Sequence, residues 1–140
     1  MQERIVEDIN RLISTVASRN NVSPRDITAV VCAGNTTMLH LLLGLPPANI
    51  RLSPYVPVSN HPASVLAGEL QLALHPLATV ECLPGVASYV GADITAGALA
   101  AGLAEADALT LFMDVGTNGE IVLGNRDWLA TCACSAGPAF

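Results

Sequence analysis

Met113-Asp114-Val115-Gly116-Thr117-Asn118-Gly119-Glu120 is the stretch on which the reading of this chain turns. An apolar strand over residues 108–113 runs into the carboxylate of Asp114. A turn with two glycines follows, and a second apolar strand starts at Ile121. Such a hairpin aims the backbone N–H groups of residues 116–119 at an anionic oxygen, with the Thr117 hydroxyl and the Asn118 amide beside them. Asp114 stands where it can hold a hydrated cation, Mg²⁺ through water, or orient an attacking water. The competing reading is a tight turn in which Asp114 and Asn118 only cap the hairpin. A turn alone needs neither that carboxylate nor Glu120, which starts the second strand within reach of metal or water; the alternative for Glu120 is a solvent-facing strand end.

Working outward, three strands over 109–113, 120–123 and 128–134, with turns at 116–119 and 124–127, predict a β-meander. A helix over about 89–104 precedes them. Its small residues Ala92, Ala96, Gly97, Ala100 and Ala101 allow close approach, which places it centrally. Asp93 in its first turn is favourable with the helix dipole and needs no other role; the alternative is a contact with a cleft or a partner protein. Further upstream, the β-branched run 27–32 reads as a buried strand. Gly34, Asn35, Thr36 and Thr37 then lead into a helix over 38–43, with Asn35 or Thr36 as its cap. A strand-to-helix loop of this kind offers N–H groups and a positive helix end to an anion, or is simply a cap.

Residues 45–62 carry five of the nine prolines and read as an extended connector. A short helix over 63–74 and a strand over 79–83 are expected next. At the N-terminus Ile5, Ile9, Leu12, Ile13 and Val16 share one helical face, giving an amphipathic helix from residue 1.

The chain has 140 residues, enough for one sizeable core. It is 51% hydrophobic and 13% charged, with mean hydropathy +0.49, which points to surface that another part of a larger protein covers. Twelve acids against six arginines give a net charge of −6. That argues against nucleic acid and anionic membrane as partners, since both call for a basic footprint. With no lysine, a Walker-type loop and Schiff-base chemistry are also excluded within these residues. The alanine- and glycine-rich run over 84–104 carries Asp93 near its middle and reads as a buried helix, not a membrane span.

Cys32, Cys82, Cys132 and Cys134 show no C-x-x-C spacing, and the charged amphipathic start is not a signal peptide, so reduced thiols in a cytoplasmic protein are expected. His40, His61 and His75 lack paired spacing, so histidines and cysteines are expected in the core or on the surface rather than on a metal. Trp128 reads as a packing residue.

Three segments carry a family resemblance. They are Val30-Val31-Cys32-Ala33-Gly34-Asn35-Thr36-Thr37-Met38-Leu39-His40-Leu41, then Leu83-Pro84-Gly85-Val86-Ala87-Ser88-Tyr89-Val90-Gly91-Ala92-Asp93-Ile94, then Asp114 to Ile121 running on to Ala136-Gly137-Pro138-Ala139-Phe140. Together they resemble the reductive activators of corrinoid proteins, whose C-terminal region belongs to the acetate/sugar kinase, Hsp70 and actin superfamily. The resemblance implies an α/β fold, part of two ribonuclease-H-like lobes that bind ATP and Mg²⁺ between them. On this reading residues 1–56 end the first lobe, 57–107 form the crossover, and 108–140 open the second lobe. The chain then looks like an internal piece of a parent with an N-terminal [2Fe–2S] ferredoxin domain, which uses ATP to return a partner corrinoid protein from Co(II) to Co(I). The resemblance assigns Asp114 and Glu120 to catalysis. It assigns Gly116, Thr117, Asn118, Gly119, Gly34, Asn35, Thr36 and Thr37 to the nucleotide, with Ser135 and Gly137 at its border. The cluster cysteines would lie outside these residues.

Two other readings stand beside it. One is a non-catalytic dimerisation or corrinoid-protein docking module, which the apolar composition also fits through self-association. The other is a small-molecule kinase of the same superfamily.

Overall fold

The structure, a computed structural model, describes residues 1–116 and 118–135. Helix α1 spans Gln2–Arg19 and starts at Met1 without a side-chain cap. Its apolar stripe is split: Val6 is buried with Ile9 and Ile13 against the first core, whereas Leu12 and Val16 are 61% and 59% exposed. Strand β1 (Ala29–Cys32) follows a 3-10 turn at Pro24–Asp26, and α2 (Thr36–Leu42) comes next. The side chain of Asn35 accepts from the Met38 N–H at 2.9 Å, which starts the helix two residues before the expected position.

The extended connector over 45–62 is held to α2 by His40, which is 2% exposed. Val58 N–H donates to its Nε2 at 3.2 Å, so the ring proton sits on Nδ1 and is given to the Thr36 carbonyl at 2.8 Å. Both nitrogens are therefore spent on structure.

The helix expected over 63–74 is absent. A two-residue strand, β2 (Val65–Leu66), pairs antiparallel with β3 (Thr79–Cys82), and the chain between them is a turn-rich loop. Asn10 of α1 clamps that loop from both sides: its amide donates to the Gln71 carbonyl at 3.0 Å and accepts from Ala73 N–H at 2.7 Å. Gln71 takes a positive φ of 57°, which no helix permits, and Leu70, Leu72 and Leu74 all reach the same core. β1 and β3 run parallel, from Ala29 opposite Thr79 to Cys32 opposite Cys82, giving sheet order β1-β3-β2. This sheet and its core join residues on both sides of position 56, so the expected boundary there is not a break in packing.

The small-residue helix, α3, covers only Ala92–Ala100. Residues 86–90 form a tight loop closed by an Ala87–Val90 bridge, and the chain turns left-handed at Gly102 into a 3-10 turn at Leu103–Glu105. Gly97 lets α3 sit on the second sheet, since a Cβ there would lie 2.5 Å from Phe112 Cζ.

That sheet is the expected meander: β4 (Thr110–Val115), β5 (Asn118–Asn125) and β6 (Trp128–Ser135), antiparallel in order. Its strands run further into the turns than expected. Asn118 and Gly119 belong to β5, and Val115 pairs with Gly119 at the turn end of the hairpin. Trp128 is 49% exposed at the start of β6 and does not pack as a core residue. The four cysteines are free, and among the described residues no helix is long and apolar enough to cross a membrane.

Candidate functional site

A cleft of about 410 Å³ opens between the start of α2 and the β4–β5 hairpin. Asn35, Thr36, Thr37 and Met38 form one wall at the start of α2. Asp114, Gly116, Asn118 and Glu120 form the facing wall on the β4–β5 hairpin. Ser88, Tyr89, Gly91 and Asp93, on the approach to α3, close the third side. The two motifs singled out in the sequence, some eighty residues apart, thus line one cavity. Gly34 and Gly119 do not face it, and Thr117 lies outside the described residues.

The walls are tied together at Gly34. Its carbonyl accepts from both Ala92 N–H at 3.0 Å and Asp93 N–H at 3.3 Å, so the backbone of one motif caps the helix of the next. Gly91 permits this approach, because a Cβ there would meet Asn35 Cα at 2.6 Å and Thr36 N at 2.8 Å. Asp93 sits in the first turn of α3 as expected, though no side chain caps the helix; its carboxylate accepts from the Ile94 N–H at 3.0 Å and also borders the cleft. Thr36 is buried and donates its hydroxyl to the Ala87 carbonyl at 3.1 Å. Asn35 spends its amide oxygen on the cap. Of that loop, Asn35 and Thr37 are both exposed and line the cleft, and the Asn35 amide oxygen is the one already held by the cap.

On the hairpin, Asp114 and Glu120 are directly opposed across β4 and β5, which puts both carboxylates on one face. The Gly116 N–H donates to the Asn118 carbonyl at 2.9 Å, so this amide is closed inside the hairpin instead of free for an anion as expected. The Glu120 carboxyl is raised from its ordinary value, first because burial penalises its charge, then because Asp114 and Asp93 are nearby. Among the described residues no arginine lines the cleft.

An anionic ligand alone would meet three carboxylates. A divalent cation between them reverses that repulsion, and hard oxygen donors suit Mg²⁺ with its retained waters. Among the described residues no three His, Cys, Asp or Glu side chains converge closely enough to hold a metal directly. Two thiol pairs in separate sheets do not make a four-cysteine iron–sulfur site.

Sequence reasoning missed Met38, Ser88 and Tyr89 as lining residues. Tyr89 is 54% exposed and stands 5.9 Å, ring to ring, from Tyr55 of the connector. No periodicity or spacing signals that contact.

The fold and cleft define a mixed α/β protein, and residues 108–140 match the C-terminal domain of RACo, the ASKHA domain. Residues 1–106 match the RACo middle region, and the chain belongs to this family. It is 35% identical over 138 residues to the corrinoid activation enzyme RamQ of Eubacterium limosum, covering 99% of this chain and 23% of that protein. It also superimposes on a solved reductive activator for a corrinoid, iron–sulfur protein with a TM-score of 0.93 and 51% identity, over 99% of this chain and 22% of that one. The chain thus spans less than a quarter of the length of either.

Proposed function

We propose that this chain supplies one side of an ATP and Mg²⁺ site in a reductive activator, which returns a corrinoid protein from Co(II) to Co(I) for methyl transfer. The observation that carries this reading is the single cleft lined by both the Asn35, Thr36, Thr37 loop and the Asp114, Gly116, Asn118, Glu120 hairpin. Bound Mg²⁺ would neutralise phosphate charge between the carboxylates. Asp114 would hold or orient the metal's water, Glu120 would reach that water from the opposite strand, and Asn118 and Thr37 would contact phosphate oxygens from facing walls. Gly116 and Gly119 keep the hairpin tight enough to bring them there. Electrons come from a [2Fe–2S] ferredoxin domain elsewhere in the parent. ATP drives the uphill one-electron step by favouring the conformation in which cobalt is more easily reduced.

The test is Asp114→Ala in the full-length cytoplasmic parent. ATP hydrolysis and Co(I) formation, followed by absorbance, should both fall by about 10- to 100-fold, the usual cost of removing a group that orients a metal's shell. Unchanged values for both would overturn the reading and leave a docking scaffold; phosphoryl transfer to a metabolite would point to a kinase. One observation favours the scaffold role as an additional property. Leu12 and Val16 line an open apolar groove with Ile9, Ile13 and Val22, a face suited to self-association.

A further inference from the structure

Away from the cleft, the sheet brings two thiols together that lie fifty residues apart in sequence. Cys32 and Cys82 are the last register pair of the parallel strands β1 and β3. Paired residues on neighbouring parallel strands point to the same side, and a strand spacing of about 4.8 Å lies within the Cα range of about 4.4–6.8 Å that a disulfide spans. Both thiols are free and sit beneath α2, beside Leu39, Leu43 and Ala92. Cys82 is 6% exposed, whereas Cys32 is only partly covered and so is the one a reagent can reach.

We propose that Cys32 and Cys82 form a dithiol site that a low-molecular-weight disulfide, of the glutathione class, oxidises to an intramolecular disulfide. The Cys32 thiolate attacks one sulfur of the small disulfide; a Cys32 mixed disulfide forms and one small thiolate leaves. Cys82 then gives its proton to solvent and attacks the Cys32 sulfur, releasing the second small thiolate. Two protein thiols are oxidised and one small disulfide is reduced to two thiols.

The protonation pattern suits this order. The hydrogen bond with Cys82 draws the Cys32 thiol down to about 7 against the opposing effect of burial. The same hydrogen bond, then burial, then the charges of Cys32 and Glu81 push Cys82 up, so it waits as a thiol. Once Cys32 is in a mixed disulfide its negative charge is gone, and Cys82 is easier to ionise. The bond would tie together the two strands that feed the loops at Gly34 and Pro84.

Peptide mapping tests this on the full-length protein. With no lysine and with arginines at 25, 51 and 126, trypsin places Cys32 on residues 26–51 and Cys82 on residues 52–126, and Cys132 and Cys134 on the peptide that begins at Asp127. After native incubation with oxidised glutathione and alkylation, peptides 26–51 and 52–126 should appear joined, separable by reductant, with loss of alkylation at both cysteines. In Cys82→Ala, glutathione should remain trapped on Cys32. Recovery of Cys32 and Cys82 both alkylated, a cross-link that forms equally well in denaturant, or no Cys32 adduct in Cys82→Ala would each overturn the proposal.

Discussion

The two sheets of this protein are finished to different degrees. The β1-β3-β2 sheet is covered by α1 and the clamped loop, and Ala67, Leu74, Ala78 and Val80 are 0–1% exposed. The meander β4-β5-β6 buries Val122 on α3 with Ile94 and Leu103, but Leu111, Met113, Leu123 and Leu129 remain open. The first is a core that holds itself together; the second displays its site residues on a sheet covered over only part of its surface. The carboxylates Asp114 and Glu120 thus sit on the less covered sheet, facing a loop at the start of α2 that is tied to the start of α3 at Gly34 and Gly91.

Truncations in the two sheets should sharpen this contrast most. Leu74→Ala removes a side chain that is 1% exposed and should cost about 2–5 kcal/mol in urea unfolding. Leu111→Ala, at a residue 53% exposed, should cost less than about 0.5 kcal/mol. Equal losses would break the comparison.

At the junction between the sheets, Gly91→Ala should cost about 1–3 kcal/mol, because the added methyl must push backbone atoms of Asn35 and Thr36 aside. The same unfolding curves check it, and a neutral result would mean that the two walls are not in close contact.

The smallest effect is expected at Glu120. Its carboxyl is raised in the folded chain, so the folded state holds this proton more tightly than the unfolded state. The penalty on its charge is fully present above the raised value and is relieved as pH falls through that value toward the ordinary one. Glu120→Gln should therefore slightly raise stability at neutral pH and flatten the gain in stability on mild acidification. Unfolding midpoints measured across the carboxylate range would show an unchanged slope if the crowding by Asp114 and Asp93 were absent.

Much of this was legible in the sequence where signals are local. Helical period gave α1, β-branched runs gave β1 and β3, and closely spaced turn residues gave the meander. The family resemblance rested on the loops that line the cleft. Residues 63–74 misled because Leu66, Leu70 and Leu74 repeat as in a helix, while the deciding contact, the Asn10 clamp, comes from sixty residues away. The parallel partnership of β1 with β3 and the shortening of α3 are likewise long-range outcomes. Within the site, the carboxylates were legible as chemistry; the closure of the Gly116 amide and the Tyr89 wall depend on tertiary geometry that composition does not encode.

The Gly34 carbonyl works like an axle pin. Because one oxygen serves two amides at the mouth of α3, a rotation of that single peptide plane would release both bonds together. While both bonds hold, the starts of α2 and α3 are coupled, and a push on one wall of the opening reaches the other; a turn of that one peptide uncouples them.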